Sequence, residues 1–273
     1  MKTKILLLAM ALSLAGCNKD DDGNNYTAPI ATNDVRANSE MDEITDDVLY
    51  ITESESDEEI SGRIAGGASF IGGCATINTE QVGDTWVRTI DFGATNCQLF
   101  TGNLVRGKII LTFSADFSAS TRTISYAFED FFHNDRKVSG NRTVVKRILP
   151  NGHPQATINL DMTVTLTNGT VYVRVGERTR EFTAGYNTPL NLFDNEFSVT
   201  GSWGTTVSSG AEAYSTTINT PLIIKWNCPH IVSGNVTIVR ASDFTTAVLD
   251  YGDGQCDDDA TVTVNGIVYD INL

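Results

Sequence analysis

Leu104-Val105-Arg106-Gly107-Lys108-Ile109-Ile110-Leu111-Thr112-Phe113 decides the fold class. With a two-residue side-chain period, Val105, Gly107, Ile109, Leu111 and Phe113 share one face, the pattern of a strand with one side against a core. Its Val-x-Gly tripeptide returns as Val138-Ser139-Gly140, Val199-Thr200-Gly201, Val232-Ser233-Gly234 and Val264-Asn265-Gly266. The glycines are 33, 61, 33 and 32 residues apart, and Thr167-Asn168-Gly169 falls in the double interval without its Val. A spacing near 32 marks an internal repeat. Each unit has room for two strands and their turns and none for a helical crossover, so neighbouring strands are expected to pair antiparallel. A glycine at one phase of every unit is expected to bend the sheet at one level.

The stretch 62–273 therefore reads as an all-β domain, an antiparallel meander of about 11 to 13 strands. So many strands rarely stay flat, which predicts a curled sheet, a sandwich or a partly closed barrel. Upstream, residues 39–61 read as a short acidic helix and linker. Ser39 is a candidate N-cap with Asp42 three positions on, and Ile44, Val48, Leu49, Ile51 and Ile60 form an imperfect apolar stripe. Residues 17–38 read as a flexible acidic tether.

Charge is uneven. The chain carries a formal −15, and residues 17–62 hold 14 acids against Lys19 and Arg36. With no basic stripe, nucleic-acid binding is excluded from the readings. Arg142, Lys146, Arg147, Arg174, Arg178 and Arg180 are expected on solvated strand faces, or as a patch for acidic glycans.

Lys2 and Lys4 precede an apolar run from Ile5 to Leu14, which is too short to span a bilayer core of about 30 Å. Residues 1–16 thus read as a signal peptide. Leu14-Ala15-Gly16-Cys17 resembles the lipobox of bacterial lipoproteins, which implies cleavage after Gly16 and acylation of Cys17. Asn18-Lys19-Asp20-Asp21-Asp22 resembles the surface-export signal of Bacteroidota lipoproteins. With the tail Asp250-Tyr251-Gly252-Asp253-Gly254-Gln255-Cys256-Asp257, it makes the chain similar to surface-exposed lipoproteins of that phylum. The resemblance implies an outer-membrane, cell-surface location on a palmitate-type anchor, and no reaction.

With Cys17 set aside, four cysteines remain, an even number suited to an oxidising compartment. Asp91-Phe92-Gly93 precedes Cys97 as Asp250-Tyr251-Gly252 precedes Cys256, so Cys74–Cys97 and Cys228–Cys256 form the economical pairing among three connectivities. Asp250, Asp253, Asp257, Asp258 and Asp259 are a candidate Ca²⁺ cluster, although their spacing is not that of an EF-hand loop. No other cofactor is expected. His133, His153 and His230 lie in separate units, outside any nucleophile or metal motif. Trp86, Trp203 and Trp226, with Tyr126, Tyr172, Tyr186 and Tyr214, are either core or a binding platform. Two functions are carried forward. The first is a lipid-anchored binding or structural module for a glycan, peptide or surface protein, and not an enzyme. The alternative is a surface or periplasmic hydrolase whose histidines and acids assemble in space.

Overall fold

The computed structural model describes residues 32–56, 71, 73–114, 116, 119–188, 191–208 and 212–273. The signal segment, Cys17, residues 18–31 and the linker at 57–61 lie outside them. One helix, α1 (Thr32–Ser56), precedes fifteen strands. These are β1 (Thr76–Val82), β2 (Thr85–Asp91), β3 (Cys97–Gln98), β4 (Leu104–Ser114), β5 (Thr121–His133), β6 (Arg136–Ser139), β7 (Asn141–Ile148) and β8 (Pro154–Thr165). They continue as β9 (Val171–Ala184), β10 (Glu196–Val207), β11 (Glu212–Lys225), β12 (Ile231–Arg240), β13 (Thr246–Asp253), β14 (Asp259–Val264) and β15 (Ile267–Asn272). All belong to one antiparallel meander, as the repeat predicts. β6 and β7 read as one strand broken at Gly140, and β3 is a two-residue spur on β4.

Four of the five repeat glycines do equivalent work. Gly107, Gly140, Gly201 and Gly234 all have positive φ, and a Cβ on any of them would run into a backbone carbonyl of the adjacent strand. At Gly107 that carbonyl belongs to Asp130, and at Gly140 to Asp161. Pairing register shifts beside Gly107, Gly201 and Gly234, and the strand breaks at Gly140, so each glycine is a bulge that bends the sheet. The accompanying Val105, Val138, Val199 and Val232 are at most 1% exposed. Gly266 departs from this scheme. It sits in the β14–β15 turn with open space around it, as Gly169 does in the β8–β9 turn. Both belong to Asn-Gly turns and not to in-strand bends.

The bent sheet curls around α1. Side chains from β2, β5, β6, β7, β9, β10 and β13 all reach the helix, and Arg36 of the helix donates to the Asn272 carbonyl of β15, which only a wrapped sheet allows. β1 and β15 remain the two edges and do not pair with each other among the described residues. At 25 residues the helix is about 37 Å long, and Arg36 is its one exposed side chain from Val35 onward. Val35, Met41, Ile44, Val48, Leu49 and Ile51 join the inner face of the sheet in one hydrophobic cluster.

Two expectations about the helix are corrected. It begins at Thr32, so residues 32–38 of the expected tether form its first turns, and Ser39 is a mid-helix residue instead of an N-cap. The sheet encloses the helix. A polar helix tolerates enclosure because its hydroxyls turn back on its own backbone. Thr45 donates to the Met41 carbonyl and Thr52 to the Val48 carbonyl, each at 2.7 Å.

Candidate functional site

The acids of α1 meet a set of inward-facing bases. Asp42, fully buried, accepts from Arg174 at 2.5 Å and from the Tyr251 hydroxyl at 3.3 Å. Arg178, also fully buried, lies between Asp42 at 3.5 Å and Asp46 at 3.3 Å. Asp47 pairs with His133 at 2.8 Å and accepts from Asn103 at 2.7 Å. Glu40 pairs with Arg136 at 2.6 Å, Glu53 with Arg180 and Lys146, and Glu55 with Arg88. Burial raises the carboxyls of Asp46 and Glu55, opposed by Arg178 and Arg180 at the first and by Arg88 at the second. Burial, with Asp42 beside it, also holds the Tyr251 hydroxyl well above its usual range, so it stays a proton donor.

Glu43 is the exception. Among the described residues no cation stands within ion-pair distance of it. Burial, then the charges of Asp47 and Glu40, push its carboxyl up to about 8. It borders a small cavity of about 50 Å³ with Asp46, Asp47, Thr101, Trp226 and His230. That volume holds one or two waters and no substrate. A larger recess of about 300 Å³ lies elsewhere, on the β4–β5–β7 face. Six of its eight lining residues form two cross-strand rows, Thr112–Ser125–Thr143 and Ile110–Ala127–Asn141, with Tyr126 and Arg142 the other two. Strand alternation puts both rows on the side opposite the buried Leu111, Tyr126 and Arg142, so the recess opens outward. Three hydroxyls and an amide around an apolar floor suit an uncharged polar ligand, and the volume reaches the lower end of small-molecule sites.

The basic positions need correction. Arg142, Arg174, Arg178 and Arg180 are at most 4% exposed and make no surface patch for acidic glycans, since the last three pair with helix acids and Arg142 lies over Tyr126 and Phe128. The reason is clearest on β9, where Val173 and Val175 are 37% and 56% exposed while Arg174 and Arg178 are 0%. The strand is turned inside out relative to its apolar alternation because its inner neighbour is acidic.

The five aspartates form no metal centre. Among the described residues no group of three or more metal-ligating side chains comes together. Asp250 accepts from the Gly252 amide, Asp253 from Gln255 and Asp257 from Asp259, so each caps its own turn, while Asp259 accepts from Asn272. The three histidines take separate places. His133 is buried against Asp47, His153 pairs with Glu181 at 2.6 Å on the β7–β8 turn, and His230 lines the small cavity. Trp203, Tyr126, Tyr172 and Tyr214 are buried, and Trp226 packs on Tyr50 and Phe100. These aromatics are core and not a platform. Cys74 is bonded to Cys97 and Cys228 to Cys256, with Cα atoms 5.8 and 5.6 Å apart. No helix among the described residues is long and apolar enough to cross a membrane.

The residues missed from sequence are the helix acids. Their signal was available in hindsight as acids at 42, 46 and 53 against bases at 174, 178 and 180. Pairing them requires knowing that strand and helix meet across about 130 residues. No family model matches the chain, and neither a curated protein nor a solved structure matches it.

Proposed function

We propose that the protein is a lipid-anchored lipoprotein of the bacterial outer surface that binds an uncharged polar ligand, a neutral glycan above all, in the recess on β4, β5 and β7. The division of space carries this reading. The interior of the sheet is filled by the chain's own helix, and a recess of small-molecule size opens outward with hydroxyl and amide groups on its walls. Titration with neutral oligosaccharides tests it. Chemical-shift changes should cluster at residues 110–112, 125–127 and 141–143, and Asn141→Ala should weaken binding about tenfold, a typical value for one or two lost hydrogen bonds. Shifts confined to other strands would defeat it.

The address rests on the lipobox-like start, and the cysteine pairing supports it. The four domain cysteines are consumed in two bonds, which leaves Cys17 for the lipid. Palmitate labelling of whole cells should mark the wild type and not Cys17→Ala, and the variant should leave the membrane fraction. Protease added to intact cells should reach the anchored protein; full protection would place it facing the periplasm.

A hydrolase remains the second reading, and the Asp47–His133 pair beside Glu43 speaks for it. Turnover of an ester or glycoside reporter that disappears in His133→Ala, with the fold retained by circular dichroism, would favour it over simple binding.

A further inference from the structure

Beyond the ion pairs, the interior holds a concentration of hydrogen-bond donors that no described residue answers. Arg174 and Arg178 are 0% exposed, Thr216 1%, and Thr205 and Asn38 5%. They belong together. Thr205 lies directly across from Arg174, Thr216 lies across from Trp203, and both guanidinium carbons sit over the Trp203 ring, at 4.6 and 5.6 Å from its centre. Asn38 joins them from the helix, since its Oδ1 accepts from Arg174 Nη2 at 2.7 Å and from Trp203 Nε1 at 3.3 Å.

The acceptors here are already in use. Asp42 Oδ1 takes Arg174 Nη1, Asp42 Oδ2 takes the Tyr251 hydroxyl, and Asn38 Oδ1 serves two donors. Left without a hydrogen-bond partner among the described residues are Arg174 Nε, Arg178 Nε, Asn38 Nδ2 and the hydroxyls of Thr205 and Thr216, while Arg178 Nη1 has only its 3.5 Å ion-pair contact with Asp42. Buried donors in this number are rare, because each unmade bond in a dry interior is expensive. A water accepts two bonds but brings two protons of its own, which would compete with these donors for the remaining lone pairs of Asp42 and Asn38. An acceptor-only ion with a negative charge answers both needs.

We propose that Asn38, Arg174, Arg178, Thr205 and Thr216 form an enclosed site for a small monovalent anion of the halide class, bound between α1 and the β9–β10–β11 wall. Such an ion binds helix and sheet at once and so belongs to the folded state alone. Stability should then follow halide concentration by mass action.

The test is thermal unfolding in sodium chloride and sodium bromide against sodium gluconate at matched ionic strength. Halide should raise Tm by roughly 3–5 °C per tenfold concentration beyond half-saturation. Thr205→Val, which preserves shape and deletes one donor, should move half-saturation to several-fold higher halide. Crystals grown in bromide should show an anomalous peak within reach of Arg174, Arg178 and Asn38. A Tm that depends on ionic strength alone would overturn the proposal, as would bromide confined to the molecular surface or only water between the guanidiniums.

Discussion

Two acidic regions of this chain are alike in sequence and opposite in circumstance. Residues 40–55 carry seven carboxylates on α1, and residues 250–259 carry five on the β13–β14 hairpin and its flanks. Those on the hairpin largely answer to their own backbone, each of Asp250, Asp253 and Asp257 accepting from an amide two residues on, with water at hand. Those on the helix, Glu43 apart, answer to side chains 33 to 209 residues further along the chain, inside a sheet that excludes water. The same residue type is thus a local turn device in one place and a long-range fastener in the other. What separates them is the presence of facing bases, which no window of sequence around either cluster contains.

The largest test of this contrast is Asp42→Ala. Removing one carboxylate leaves Arg174 and Arg178 buried beside each other and the Tyr251 hydroxyl without its acceptor. Unfolding in urea should report a loss of about 3–5 kcal/mol. A loss under 1 kcal/mol would mean that water reaches the helix and that the two regions are not different in kind.

Glu43 gives the next effect and a sign. Its folded carboxyl is raised from 4.5 to about 8, so the folded state holds its proton more tightly than the unfolded state. The associated stability is present below 4.5 and is lost as pH rises through about 8. Glu43→Gln should therefore match the wild type near pH 5 and exceed it by about 2 kcal/mol at pH 9, a figure reduced from the full shift because the group borders a cavity. Urea midpoints at the two pH values check it, and parallel profiles would contradict the burial.

Smaller again is Tyr251→Phe. Phe92 occupies the matching place in the first Asp-aromatic-Gly frame and packs on Phe131 with rings 6.1 Å apart, whereas Tyr251 reaches Asp42 through its hydroxyl. The substitution makes the second frame like the first and should cost about 1–2 kcal/mol in urea unfolding. At the low end, Asp257→Asn should change stability by less than about 0.5 kcal/mol, because an exposed Asn caps the same turn.

Much of the fold was legible. Four bulge glycines at one phase of a 32-residue unit, the alternation of β4 and the duplicated cysteine frame specify a bent antiparallel meander with two local clips. Gly266 misled because Val-x-Gly is equally compatible with an Asn-Gly turn. The relation of helix to sheet was not legible. α1 has a weak apolar stripe, since apolar contacts lie on several sides of it and acids fill the gaps between them. β9 shows its valines outward, so the usual rule that apolar residues mark the inner face selects the wrong side of that strand. The Asp47–His133 pair was out of reach for the same reason, because it joins residues 86 apart that share no motif.

The position of α1 also reverses the ordinary meaning of an N-terminal segment. A chain begun at Gly62, as a trimmed leader and tether would suggest, loses no appendage. It loses the axle on which the sheet is wound, and arginines meant for carboxylates are left facing an empty bore. Such a protein should collapse, aggregate or scavenge a foreign acidic helix, while the same helix added back as a separate peptide should restore it.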